Sequence, residues 1–158
     1  MFQRSCCVPT PIDYPFAVEF VELFISHNVR FMIIGGYAVA AHGHPRYTKD
    51  LDVWVWTDPE NAHRVVSALD EFCFCGLGLT ATDFQRPDSV VQLGRKPQRI
   101  DILTFATGLD FAEAFKNHVL ILVGDAQVPF VSVDDLRTNK LATGRLQDLA
   151  DAEFLEKK

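Results

Sequence analysis

The feature that most constrains this chain is the alternation in residues 50–56, Asp-Leu-Asp-Val-Trp-Val-Trp. Side chains along a strand point to opposite faces in turn. Leu51, Val53 and Val55 therefore share a face that has to be buried, and Asp50, Asp52, Trp54 and Trp56 share the other. Two carboxylates are thereby fixed on one face, roughly 7 Å apart at about 3.3 Å of rise per residue. Upstream, Phe31-Met-Ile-Ile34 is an apolar run that predicts a strand buried on both faces. Gly35-Gly36 ends it, the alanine-rich stretch from Tyr37 to His42 reads as a short helix stopped by Gly43, and residues 44–49 read as a loop.

The chain of 158 residues is long enough to bury a core, and 48% hydrophobic residues with 13 Phe exclude disorder. It is expected to be one domain, residues 1–158, in which the proline-bearing, aperiodic residues 1–14 form an N-terminal arm. A net charge of -6 argues against a broad surface for duplex nucleic acid. No apolar run is long enough to span a bilayer, and residues 1–15 lack the pattern of a secretory signal, so no membrane contact and a cytoplasmic location are expected. The cysteine pairs Cys6-Cys7 and Cys73-Phe-Cys75 lack the spacing of structural zinc sites and read as small thiols.

The remaining elements alternate in type. Phe16, Phe20, Leu23, Phe24 and His27 fall on one face of a helix that starts at Pro15 and stops at Asn28. Thr57 and Glu60 fit a capping box with Pro59 in the first turn of the next helix, whose buried face carries Val65, Leu69, Phe72 and Cys73, ending at Gly76 and Gly78. A short helical turn follows at 80–86. Residues 89–93 and 99–103 read as an antiparallel hairpin about a turn at 94–97, with Ile100 and Ile102 on one face and Arg99, Asp101 and Leu103 on the other. Asp110 caps a helix, residues 118–123 form a strand, and 128–131 a short edge strand or extended connection, the edge being favoured because Pro129 cannot donate to a ladder. Ser132 begins a helix with Leu136, Lys140 and Leu141 that stops at Gly144, and Leu146, Leu149, Ala150 and Phe154 mark the last. This order predicts an α/β (α+β) domain with a mixed sheet.

Two carboxylates on one strand face suit a hard divalent cation, which prefers carboxylate oxygens. A third acid on a neighbouring strand allows two ions about 4 Å apart, one activating an attacking hydroxyl and one stabilising a leaving pyrophosphate. Asp101, flanked by Ile100 and Ile102, is the natural third acid. The double glycine lets backbone N–H groups approach a phosphate closely. Arg46 and Lys49, just before the acids, are set either to neutralise phosphate charge or to balance the aspartates, and Lys140 and Arg145 either to contact phosphate or to act as solvated helix charges in ion pairs with Asp148 or Asp151. His42 and His44 read as capping or loop histidines, and the tryptophans as core or interface.

Gly35-Gly36, then Asp50-Leu51-Asp52, then Asp101 on a later strand resembles the nucleotidyltransferase superfamily related to DNA polymerase β. More narrowly, residues 35–43 with 46–52, and the tail Lys140, Gly144-Arg145, Asp148-Leu149-Ala150-Asp151, resemble the minimal-nucleotidyltransferase and AbiEii toxin-like group. The likeness runs over most of residues 15–155. It departs from many active members at Gly36, where they carry serine, and at Val53, where they carry a further acid. The resemblance implies a nucleotidyltransferase-like mixed sheet flanked by helices. It implies transfer of a nucleoside monophosphate from an NTP to a hydroxyl or phosphate acceptor (protein, RNA such as tRNA, or small molecule) with Mg²⁺, two ions when NTP is bound. Gly35, Gly36 and Lys140 would then meet the triphosphate, Asp50 and Asp52 would hold both ions, and Asp101 would hold the catalytic ion and serve the general base. Two alternatives stand beside it: a catalytically inactive relative that keeps the fold and binds a nucleotide, a protein partner or a tRNA end, for example a toxin–antitoxin component with a small helical partner, and a homodimer formed through the Trp54/Trp56 face and the Phe-rich helices.

Overall fold

The computed structural model describes residues 15–44, 48, 50–72, 78–94 and 99–156. The expectations for the N-terminal arm, the four cysteines, Gly76, Arg46 and Lys49 lie outside these residues. Along the chain come α1 (Pro15–Ser26), β1 (Phe31–Ile34), α2 (Gly35–Ala41), β2 (Asp50–Val55) and α3 (Pro59–Glu71). A 3-10 turn (Ala81–Phe84) leads to β3 (Val90–Leu93), β4 (Arg99–Leu103), α4 (Phe111–Lys116), β5 (Val119–Val123), β6 (Ala126–Phe130), α5 (Val133–Thr143) and α6 (Leu146–Glu156).

The described strands form one mixed sheet in the order β3-β4-β2-β1-β6-β5. β2 runs antiparallel to β1 and parallel to β4, β1 runs parallel to β6, and the outer strands complete antiparallel hairpins. All of β1 is buried, as a continuous apolar run in the middle of a covered sheet should be. Leu51, Val53 and Val55 enter the core, where α1 and α3 bring Ala17, Phe20, Val21, Phe24, Ala62, Val65 and Leu69. The two helices meet through the rings of Phe16, Phe20 and Phe72.

Several local expectations need correction. The buried face of α1 is Ala17, Val18, Phe20, Val21 and Phe24, while Leu23 and His27 sit at its margin. His27 Nε2 instead meets Glu71 at the end of α3, 2.6 Å away. α3 is capped by Asp58 rather than Thr57, since the Asp58 carboxylate accepts from the Asn61 N–H and Pro59 takes the first helical position. α2 begins at the glycines themselves. β6 is an inner strand, and β5 is the edge. Pro129 is tolerated there because β6 meets β1 just past it: Ile33 pairs with Phe130, and the Val131 N–H donates to the Ile33 carbonyl at 3.1 Å. The hairpin, the Asp110 and Ser132 caps and the left-handed Gly144 that ends α5 stand as expected.

Among the described residues no helix is long and apolar enough to cross a membrane.

Candidate active site

The parallel pairing of β2 with β4 builds a two-by-two grid of side chains. Asp52 lies opposite Asp101, and Asp50 lies opposite Arg99. Alternation turns all four to the same sheet face. The three predicted acids are thus brought together across two strands, with Asp101 buried and Asp50 and Asp52 half-buried. The fourth corner is a cation to which the sequence reading gave no role. The Arg99 guanidinium donates to Asp50 Oδ2 at 2.7 Å and lies 3.0 Å from Asp101 Oδ1 through Nε. It also donates to Asp101 Oδ2 at 3.3 Å.

Asp52 is the acid that this guanidinium does not bond. Burial, then the charges of Asp101 and Asp50, push its pKa up from 3.8 to about 7, and Lys140 and Arg99 offset this only in part. Gly35 presses on the same carboxylate. Its φ is +73°, and a Cβ there would stand 2.1 Å from Asp52 Oδ2. Glycine is therefore required twice over, by conformation and by space.

Asp50, Asp52, Gly35 and Gly36 line a cleft of about 580 Å³, together with Thr48, Phe105, Thr107, Asn139, Thr143, Arg145 and Gln147, while Asp101 and Arg99 lie behind its wall. That is the size of a small-molecule site. One wall is the loop after β4. Asn139 of α5 donates to the Thr107 carbonyl at 2.9 Å, and Gly108 lies so close to Ala142 that a Cβ would approach its side chain to 2.8 Å.

Lys140 also lines the cleft, but its ammonium is turned to α6. It is buried and bonded to Asp148 Oδ1 at 3.0 Å and paired with Asp151 Oδ2 at 3.3 Å. Burial alone would raise the Asp148 pKa; hydrogen bonds from Arg145, Thr143 and Lys140 outweigh it and hold the pKa down at about 2. This clamp turns two acids of α6 inward. Asp148, Asp151, Ala152 and Leu155 point inward, whereas Leu146 is 88% exposed and Leu149 faces solvent, as does Leu141 on α5.

By donor type the acids fit a hard divalent cation. Asp50 Oδ1 is buried without a hydrogen-bond partner among the described residues, as a waiting ligand atom would be. As the side chains stand, however, two of the three carboxylates are given to Arg99. No three acids, histidines or cysteines among the described residues converge as a ready metal cage. His42 and His44 are not ligands in this arrangement: His42 meets the Val131 carbonyl at 2.8 Å, and His44 packs on the Phe154 ring. Trp54 is 2% exposed and meets the Phe111 ring of α4, which Trp56, half-buried, also touches.

Arg99 was visible to sequence reasoning, since alternation puts it on the face of Asp101. Asn139 and Thr143 had no such signal, because their place depends on how α5 meets the sheet, whereas the pairs of Lys140 and Arg145 with Asp148 and Asp151 are one of the two roles open to those cations in the sequence.

No protein-family model and no curated protein sequence matches the chain. Among solved structures it is similar to that of a candidate nucleotidyltransferase from Thermotoga maritima, with 14% identity and a TM-score of 0.58 over 89% of this chain and 90% of that one. At that identity the likeness carries the fold: a mixed sheet flanked by helices in the nucleotidyltransferase-like arrangement.

Proposed function

We propose that this chain is a Mg²⁺-dependent nucleotidyltransferase of minimal size, moving a nucleoside monophosphate from an NTP to a hydroxyl or phosphate acceptor. The observation that carries this reading is the acid grid, Asp52 opposite Asp101 with Asp50 two residues before, on a cleft bordered by Gly35 and Gly36. Asp50, Asp52 and Asp101 would hold Mg²⁺, which activates the attacking oxygen and neutralises charge on the leaving pyrophosphate. Gly35 and Gly36 border the cleft beside that carboxylate cluster, where the triphosphate would lie. Arg145, exposed at the rim, offers cationic charge to it. The acceptor oxygen bonds to the α-phosphorus, the α–β bridging bond breaks, pyrophosphate leaves, and Asp101 takes the acceptor's proton. The closer likeness to the AbiEii toxin-like group, a cytoplasmic setting and a protein, tRNA or small-molecule acceptor belong to the same proposal.

A second reading, a non-enzymatic relative that binds a protein partner, is favoured by two observations. Lys140 is withdrawn into the α5–α6 clamp, and Leu141, Leu146 and Leu149 are exposed beside the cleft. The deciding experiment incubates the protein with α-labelled NTPs, Mg²⁺ and cell extract, with Asp52→Ala alongside. Label transfer that depends on Asp52 is expected. Transfer that survives the substitution removes the metal assignment, and no transfer together with no Mg²⁺-dependent NTP binding selects the second reading.

A further inference from the structure

The grid has three acids and one guanidinium, and that asymmetry has a function of its own. Three carboxylates gathered on one partly buried sheet face repel one another, and burying an unpaired charge is expensive. Arginine is the residue suited to prevent this. It stays charged at any accessible pH, and its rigid fork spans two carboxylates at once. Arg99 does so here, 2.7 Å from Asp50 and 3.0 Å from Asp101. Of the other cations at the cleft, Lys140 pairs with Asp148 and Asp151, and Arg145 pairs with Asp148.

We propose that Arg99 is the resident cation of the acid grid: it holds Asp50 and Asp101 before metal arrives, and a divalent ion enters by displacing its guanidinium from Asp101. This rests on the metal reading above and adds a positioning residue to it. Arg99 is not itself a ligand, and it contacts the site only through the two carboxylates. A divalent ion could take the open Asp50 Oδ1 directly, but both Asp101 oxygens face Arg99, at 3.0 and 3.3 Å, so an ion bound to Asp101 takes an atom that Arg99 occupies. The two states are therefore exclusive at Asp101. Metal affinity is then reduced by the fraction of molecules in which the guanidinium is engaged, so an engagement of 90–99% lowers affinity by ~10–100-fold. The exclusive arrangement also sets a threshold: metal brought together with a polyphosphate, which adds its own oxygen ligands, displaces Arg99 more readily than the free ion does.

The test is a calorimetric Mn²⁺ titration of the full chain without nucleotide, comparing the wild type, Arg99→Gln and Asp52→Ala. Arg99→Gln is expected to bind Mn²⁺ at least ~10-fold more tightly than the wild type. Equal or weaker binding by Arg99→Gln, with binding lost in Asp52→Ala, overturns the role of Arg99 and leaves the metal reading standing. Absence of saturable Mn²⁺ binding in wild type and Arg99→Gln alike overturns both. Arg99→Lys, which keeps the charge but loses the fork, covers the case in which Arg99→Gln does not fold, and is expected to fall between the two. A readout on the unaltered protein is the Arg99 Nε–H resonance. It should be protected from solvent exchange in metal-free protein and lose that protection as Mg²⁺ is added; protection unchanged at saturating Mg²⁺ refutes displacement.

Discussion

The chemistry of the cleft is concentrated in Asp52. Its pKa lies at about 7 in the folded protein against 3.8 for a free side chain, chiefly through burial and then through Asp101 and Asp50. A raised folded-state pKa contributes stability that is full below about pH 4 and is lost as the pH rises through 7. Ionised Asp52 is thus a liability in the metal-free protein. Asp52→Asn is expected to be more stable than the wild type at pH 8 in EDTA, by up to about 4 kcal/mol, and the gap should close toward pH 5. Thermal melts at the two pH values check this. Gly35 is the other sensitive residue. Gly35→Ala forces a Cβ onto Asp52 Oδ2 at a φ of +73°. A loss of roughly 1–3 kcal/mol in urea denaturation is expected, with weaker Mn²⁺ binding because the displaced carboxylate is a grid member. These two residues were legible in advance for a simple reason. A glycine pair ending an apolar run and an alternating acidic strand are local signals, and the contact between them follows from antiparallel pairing of β1 with β2.

At the level of elements, the α5–α6 clamp shows where local signals stop. Leu146, Leu149, Ala150 and Phe154 marked α6 as a helix; of these Phe154 packs on the core, while Leu146, Leu149 and Ala150 are exposed and Asp148 and Asp151 are buried. Their burial is conditional on Lys140 from another helix, and no period within α6 encodes it. The same holds for β6, whose inner position depends on pairing with β1 far away in sequence, while Pro129 spoke only for itself. Removing one partner of a buried ionic cluster leaves the rest uncompensated. Asp151→Ala is expected to cost about 3–5 kcal/mol, and Lys140→Met in that background should recover most of it, a coupling that a double-mutant cycle measures by denaturation. Acid should act on the same clamp. Because the Asp148 pKa is lowered to about 2, its contribution is present above pH 4 and is lost as the pH falls toward 2.

Across the whole molecule, the sheet leaves β5 as an outer strand, with Leu120 at 57% and Leu122 at 53% exposed on one side. An apolar unpaired edge is a template for another strand. Replacing both by lysine is expected to reduce concentration-dependent association, as read by sedimentation velocity, without lowering Mn²⁺ affinity, since β5 lies four strands from β4. The fold class was readable from the succession of elements, whereas the strand order was not, because order is set by crossovers rather than by any one segment. That order bears on how the protein is made. Asp50 and Arg99 are 49 residues apart, joined only when β4 docks parallel to β2. Parallel pairings of distant segments close large loops and form slowly. The hairpins can form early from neighbouring residues, while the acid grid assembles last. A chain caught partway through refolding would therefore hold most of its helices and hairpins with its three acids still apart, competent in secondary structure and blind to metal.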